Sequence, residues 1–191
     1  MPKHTVPVEV SARHVHLSGP HLAALFGPSA TLHTSKVISQ PGQFAAEEKV
    51  DVVTPKGKLT VRVVGPVRAE TQVELAASDC LKLGLPTVLR VSGTLEGTPG
   101  VTLDGPYGTV EVRQGVIVAQ RHLHISPTAA AAWHLKHGDV ISVRTVGTRP
   151  VTFHNVFVRS RAGIDELSFM IDTDEANAAG LKGGEVGEVV P

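Results

Sequence analysis

The chain is expected to be mainly β: two small β-barrels with short capping α-helices, related by internal duplication. Three observations predict this. Short Val-rich runs are broken by Gly and Pro, which number 19 and 13 among 191 residues, and only 4% of residues are aromatic. That texture suits barrels or sandwiches better than bundles. One phrase is written twice: residues 11–18 read Ser-Ala-Arg-His-Val-His-Leu-Ser, and residues 119–126 read Ala-Gln-Arg-His-Leu-His-Ile-Ser. The helical patterns are few, short and stopped by glycine.

In chain order, residues 5–11 alternate as a strand and run into the first copy of the phrase. Residues 20–26, Pro-His-Leu-Ala-Ala-Leu-Phe, read as a helix with Ser18 as N-cap, Pro in the first turn and Gly27 as the stop. Residues 50–53 and 59–64 form a hairpin about Gly57, and 71–75 (Thr-Gln-Val-Glu-Leu) alternate again. Strands are also expected at 88–91 and 109–118, with the Gly/Pro-rich stretch 92–108 as a loop between halves. The second copy of the phrase leads into a helix over 127–136, with Ser126 as N-cap. Strands follow at 140–145, 151–158, 166–171 and 186–190, and a helix at 174–179 stops at Gly180. A second echo supports duplication: residues 133–143 and 178–189 each read as a short helix, a Gly turn and an alternating strand, with a weaker third instance at 79–85.

Eighteen basic and eighteen acidic residues cancel. This balance argues against nucleic acid as the main partner, although a local basic pocket for a phosphorylated small molecule is compatible with it. No apolar run approaches a membrane span, and the first residues have no apolar signal core. The single cysteine, Cys80, forms no intrachain disulfide and reads as a buried small hydrophobe. The expected location is the cytoplasm.

The repeated phrase carries the chemistry. A strand points residues i and i+2 to one face, so His14 and His16 present their imidazoles together, as do His122 and His124. Two such pairs call for two metals, or for one site shared between two half-domains. Imidazole suits zinc, and a catalytic zinc keeps three protein ligands and an open position. Each pair then needs a third ligand. The carboxylates nearest to strand patterns are Glu47, Glu48, Asp51, Glu70, Glu74 and Asp172, with Glu74 in an alternating segment. Arg62 and Arg68 flank Gly65-Pro66, with Lys56 and Lys58 nearby. This is the densest basic stretch, and guanidinium offers planar donors to phosphate. The remaining histidines stand alone in the sequence, and no P-loop, GxGxxG or GxSxG pattern is present.

These phrases resemble those of the phosphate propanoyltransferases, a phosphotransacylase family. The matching segments are residues 8–18, Gln-Pro-Gly-Gln-Phe-Ala-Ala-Glu-Glu at 40–48, 61–68 with 71–75, Arg-His-Leu-His-Ile-Ser-Pro at 121–127, and Ile-Asp-Thr-Asp-Glu-Ala-Asn at 171–177. They run in family order along nearly the whole chain.

The resemblance implies two capped barrels, one discontinuous domain over 1–12 plus 120–191 and another over 13–119, with two zinc ions between them. It implies that His14, His16 and Glu74 hold the first zinc, and that His122 and His124 with one more histidine hold the second. Arg68 corresponds to the phosphate-holding arginine, and Val10, Ser11, Ala12, Lys56, Arg62 and Asn177 to contacts with coenzyme A. The implied reaction interconverts a short acyl-CoA plus phosphate with acyl phosphate plus CoA, by direct attack of phosphate, in a possible homodimer.

The family has histidine where this chain has Met170, and a thioether is a poor zinc ligand. The second zinc site is therefore expected to be weak, altered or absent. The family's microcompartment-targeting extension is not seen before residue 5. Two other classes stay open: a zinc-dependent thioester hydrolase, and a catalytically weakened CoA- or metal-binding paralogue.

Overall fold

The His-x-His part of each repeated phrase is a three-residue strand paired on both sides. A computed structural model describes residues 4–190. The chain runs β1 (Thr5–Ser11), β2 (His14–His16), α1 (Gly19–Phe26), β3 (Thr34–Val37), β4 (Phe44–Thr54), β5 (Gly57–Gly65), β6 (Gln72–Glu74), α2 (Ala77–Leu83), β7 (Leu89–Arg90) and β8 (Val101–Asp104). It continues through β9 (Thr109–Val112), β10 (Val116–Ala119), β11 (His122–His124), α3 (Pro127–Ala132), β12 (Val140–Thr145), β13 (Thr152–Arg159), β14 (Ser168–Asp172), α4 (Thr173–Ala179) and β15 (Val186–Val190). It divides into unit 1 (Met1–Ala12, Ser39–Pro41, Gln120–Pro191) and unit 2 (Arg13–Ile38, Gly42–Ala119).

Unit 1 is a closed six-stranded barrel, β1-β14-β11-β13-β12-β15. Closure leaves no unpaired strand edge. Alternation sends Val6, Val8, Leu123, Val143, Val156, Val158, Phe169 and Ile171 into its core, where the Phe153 and Phe169 rings lie 5.6 Å apart. Phe169 is fully buried. Replacing it with alanine removes a ring that closure leaves no room to replace, so Phe169→Ala is expected to cost ~3–5 kcal/mol in urea unfolding. A loss below about 1 kcal/mol would show that the barrel collapses around the gap.

Unit 2 is a nine-stranded sheet curled into a half-barrel, β7-β10-β6-β2-β5-β4-β8-β9 with β3 on β4. Val15, Val50, Val52, Val61, Val63, Val73, Leu103 and Val116 form its core, capped by Leu22 and Leu25 of α1 and by Cys80 and Leu83 of α2.

Three expectations needed correction. The 92–108 stretch contains β8, whose Val101 and Leu103 alternate into the core, so its glycines and prolines bound a strand instead of excluding one. The single strand expected over 109–118 is two, because Gly115 turns between them at φ +136°, where a Cβ would stand 2.6 Å from the Thr71 carbonyl oxygen. The helix expected over 127–136 ends at Ala132. Of the two N-cap serines, Ser126 accepts from the Ala129 amide, whereas Ser18 makes no side-chain cap and accepts from the Thr71 hydroxyl instead.

The duplication is visible in the strand pairing. In unit 2, β2 lies antiparallel to β6 and parallel to β5; in unit 1, β11 lies antiparallel to β14 and parallel to β13. Strand β10 runs parallel to β6 as β1 runs parallel to β14. The strand that precedes each His pair in sequence thus belongs to the other unit's sheet.

Candidate metal and phosphate site

Val15 points into the unit 2 core, so pleating turns His14 and His16 to the opposite face. Antiparallel pairing sets Glu74 directly across from His14. His14 Nε2 lies 3.2 Å from His16 Nε2 and 3.6 Å from Glu74 Oε2, and His16 Nε2 lies 3.8 Å from Glu74 Oε1. Among the described residues this is the one group of three His, Cys, Asp or Glu side chains whose ligand atoms converge, all within 4.8 Å of one another.

The donor set fits zinc. Two nitrogens held about 2.0–2.1 Å from a tetrahedral zinc stand about 3.3–3.4 Å apart, close to what is observed. His16 Nδ1 is 2.9 Å from the Val64 carbonyl oxygen. A carbonyl only accepts, so Nδ1 carries the proton and the Nε2 lone pair faces the cluster. Burial, reinforced by the charges of His14 and Arg68, lowers the His16 pKa to about 3, keeping the ring neutral and ready to ligate. Gln72 Nε2 and Ser92 Oγ both donate to Glu74 Oε1, fixing the carboxylate. Of the other carboxylates considered as ligands, Glu48 accepts from His33, Asp51 from Lys58 and Thr60, and Asp172 caps α4.

The unit 1 pair is built the same way. His122 Nε2 and His124 Nε2 are 3.0 Å apart. His122 Nδ1 donates to the Gln120 carbonyl at 2.8 Å, and His124 Nδ1 to Asp165 Oδ1 at 2.7 Å. Burial, then the neighbouring His122, lowers the His124 pKa to about 3. Burial opposes ionisation of Asp165, but bonds from Arg161 and His124 outweigh it and hold that carboxyl at about 2. The position across from His122, filled by Glu74 in the other copy, is Met170. No third His, Cys, Asp or Glu among the described residues completes this pair. The set does not match the three-donor cluster of His14, His16 and Glu74 in unit 2.

A profile of the phosphate propanoyltransferase family matches residues 7–182. The phosphate propanoyltransferase of Rhodopseudomonas palustris is 49% identical over 95% of this chain and 80% of its own length. That of Sebaldella termitidis is 44% identical over 95% and 86%, and that of Salmonella typhimurium 46% over 94% and 86%. The chain belongs to the phosphate propanoyltransferase family. The family is one of acyltransferases, and the resemblance read from the motifs holds.

The remaining residues matched to this family fall in both units. In unit 2, Arg62 is the parallel-strand neighbour of His14 and donates to the Ala46 carbonyl. Arg68, bridged to Ser18 at the start of α1, lies near enough for its charge to act on His16. Lys56 is exposed on the β4–β5 turn, packed against Gly84. In unit 1, Val10 and Ser11 pair with Ile171 and Asp172 where β14 enters α4, the helix that carries exposed Asn177; Ala12 follows, also exposed.

Several supporting residues were not read from the sequence. Asp165 lies 41 residues from His124, and only the fold brings it there. Gln72 had a signal, since it stands two residues before Glu74 on the same face of an alternating strand. The arginine of each phrase also has a role: Arg13 Nε bonds Asp79 Oδ2 at 2.9 Å, and Arg121 Nε bonds Glu175 Oε1 at 2.6 Å. Both acids lie in the first turn of the helix that follows the strand paired with the histidines. His21, read as standing alone, bonds Thr71 Oγ1 at 2.8 Å.

Proposed function

We propose that this chain interconverts a short acyl-CoA plus phosphate with acyl phosphate plus CoA, acetyl and propanoyl being the acyl groups of choice. The observation that carries the reading is the His14–His16–Glu74 cluster with Arg68 beside it, in a chain of this family. A phosphate oxygen attacks the thioester carbonyl, a C–O bond forms, the C–S bond breaks, and sulfur leaves as the CoA thiolate. Zinc held by the three side chains would supply a Lewis acid and a partner for the developing thiolate. Arg68 binds and orients phosphate with planar paired donors. Arg62, Lys56, Val10, Ser11, Ala12 and Asn177 are the proposed CoA contacts. The reaction needs no covalent acyl-enzyme, consistent with the burial of Cys80. The positioning of two anionic reactants then supplies much of the rate. The proposed domains are 1–12 with 120–191, and 13–119. The lone cysteine, free of any disulfide, suits a reducing cytoplasm.

CoA release from acetyl- and propanoyl-CoA, followed with and without phosphate on zinc-loaded protein, tests the reading. Release is expected only with phosphate; release without it would identify a hydrolase. Arg68→Ala is expected to lower kcat/KM for phosphate by about 10²-fold, the usual loss of one charge-stabilising donor. Unchanged phosphate kinetics would remove Arg68 from the site.

A further inference from the structure

A closed ring of hydrogen bonds joins Gln72, Ser92 and Glu74 in unit 2. The Gly93 amide, which can only donate, bonds Gln72 Oε1 at 2.7 Å and so fixes which way round the Gln72 amide lies. Gln72 Nε2 then donates both to Glu74 Oε1 and, at 2.8 Å, to Ser92 Oγ. Ser92 Oγ gives its own proton to Glu74 Oε1 at 3.0 Å. Oε1 therefore accepts two hydrogen bonds, one for each of its lone pairs. Gln72 is buried and Ser92 half-buried. A tight turn brings Ser92 and Gly93 to the carboxylate: the Thr94 amide bonds the Val91 carbonyl at 3.0 Å, and Gly93 takes φ +98°, a conformation that favours glycine.

Those bonds decide how the carboxylate can ligate. Glu74 Oε2 lies 3.6 Å from His14 Nε2 and Oε1 3.8 Å from His16 Nε2, so distance alone would let either oxygen, or both, reach an ion held by the two rings. An ion at Oε1 would have to take a lone pair that Gln72 or Ser92 holds. A carboxylate ligating through both oxygens would also claim a coordination position that a catalytic zinc leaves to its reactants. The duplicated strands support linking Gln72 to the duty of Glu74. Across from His16 and His14 stand Gln72 and Glu74; across from His124 and His122 stand Ser168 and Met170. The carboxylate and the amide that holds it are thus replaced together in unit 1.

We propose that Ser92 and Gln72 are positioning residues that hold Glu74 as a one-oxygen ligand through Oε2, so that the 91–94 turn keeps a coordination position of the unit 2 metal for the reactants. The inference rests on the reading of His14, His16 and Glu74 as the metal ligands of the acyl-transfer site. It adds which oxygen ligates and what enforces the choice. Nothing in the sequence pattern pointed to Ser92, which stands 18 residues from Glu74 in a segment of turns.

The test is a crystal structure of the zinc-loaded, full-length protein, with the same structure and the kinetics of Ser92→Ala. In the parent, Oε2 alone is expected at the ligating distance of about 2.0–2.2 Å, with Oε1 still bonded to Gln72 and Ser92. Ser92→Ala releases one lone pair of Oε1. It is expected to hold zinc through both oxygens and to lower kcat/KM for phosphate-dependent CoA release by ~10–100-fold. Ser92→Thr keeps the hydroxyl and is expected to restore both the one-oxygen ligation and the turnover. A parent that ligates through Oε1, or through both oxygens, would overturn the inference. So would a Ser92→Ala protein with Oε2-only ligation and parental turnover, since a serine that merely braces the turn would give that result. A parent that takes up no zinc would overturn the metal-ligand reading and this inference with it. Oε2-only ligation in a parent that releases no CoA with phosphate would instead uphold the ligation and overturn the acyl-transfer reading. The zinc-loaded parent decides which oxygen ligates even if the variant fails to fold.

Discussion

The double variant His14→Ala, His16→Ala is expected to lose the zinc of unit 2 and, with it, phosphate-dependent CoA release by about 10³-fold or more. The size follows from the several kcal/mol that a Lewis acid contributes to an acyl-transfer transition state, at 1.36 kcal/mol per tenfold in rate. Both effects should appear together, because the three donors form one cluster in which Glu74 alone cannot retain the ion. The fold should survive. The two rings lie on the face opposite Val15, and the pairing of β2 with β5 and β6 is made by the backbone. Gln72→Leu is a milder probe. It removes one of the two donors that fix Glu74 Oε1 while leaving the ligands in place, and is expected to weaken zinc by ~10–100-fold. Elemental analysis and turnover on the same preparations check both. Full zinc content in the double variant would dismiss these residues as ligands, and loss of zinc without loss of turnover would separate the metal from the reaction.

The site was legible in the sequence to the extent that it is local. A His-x-His phrase within a β-type run fixes two rings on one face by pleating alone, and its repetition made it the candidate site. Glu74 was harder, because its place across from His14 depends on the register between strands 58 residues apart. An alternating pattern shows which face a residue takes but not which strand stands beside it. Asp165 sits in a loop with no periodicity at all, so only tertiary structure reveals it as the partner of His124. The fold divides along the same line. The strands β1, β12 and β15 were found at their observed bounds. The β8 strand was hidden by flanking Gly and Pro, and whether a sheet closes is a property of strand pairing that no single segment encodes. Unit 2 is a half-barrel in which β7 and β9 end the strand order.

The metal-stripped protein is expected to lose stability steeply on mild acidification. His16 and His124 each have a folded pKa of about 3, set first by burial and then by the charge of the neighbouring histidine, against 6.5 when exposed. Between these values the unfolded chain binds more protons than the folded one, so stability rises with pH across that window and falls as pH drops from 6.5 toward 3. Above 6.5 the two rings are neutral in both states and contribute no slope. Within the window each contributes on the order of 1 kcal/mol per pH unit, and the pair about twice that. Asp165, held at about 2, adds loss in the same direction once pH falls below its ordinary value of 3.8. Against a stability of ~5–15 kcal/mol for a typical protein, the two histidines alone bring the chelator-treated chain near its midpoint two to three pH units below 6.5. Urea unfolding at a series of pH values, followed by circular dichroism, measures the slope. His124→Gln should flatten the contribution of unit 1 and His16→Gln that of unit 2, since glutamine has no proton to gain. Bound zinc should steepen the loss, because ligation requires the same neutral rings. Stability that stays level from pH 6.5 to about 4.5 in metal-free protein would mean that both rings accept protons in place, and that the buried, lone-pair-forward geometry of the two sites is wrong.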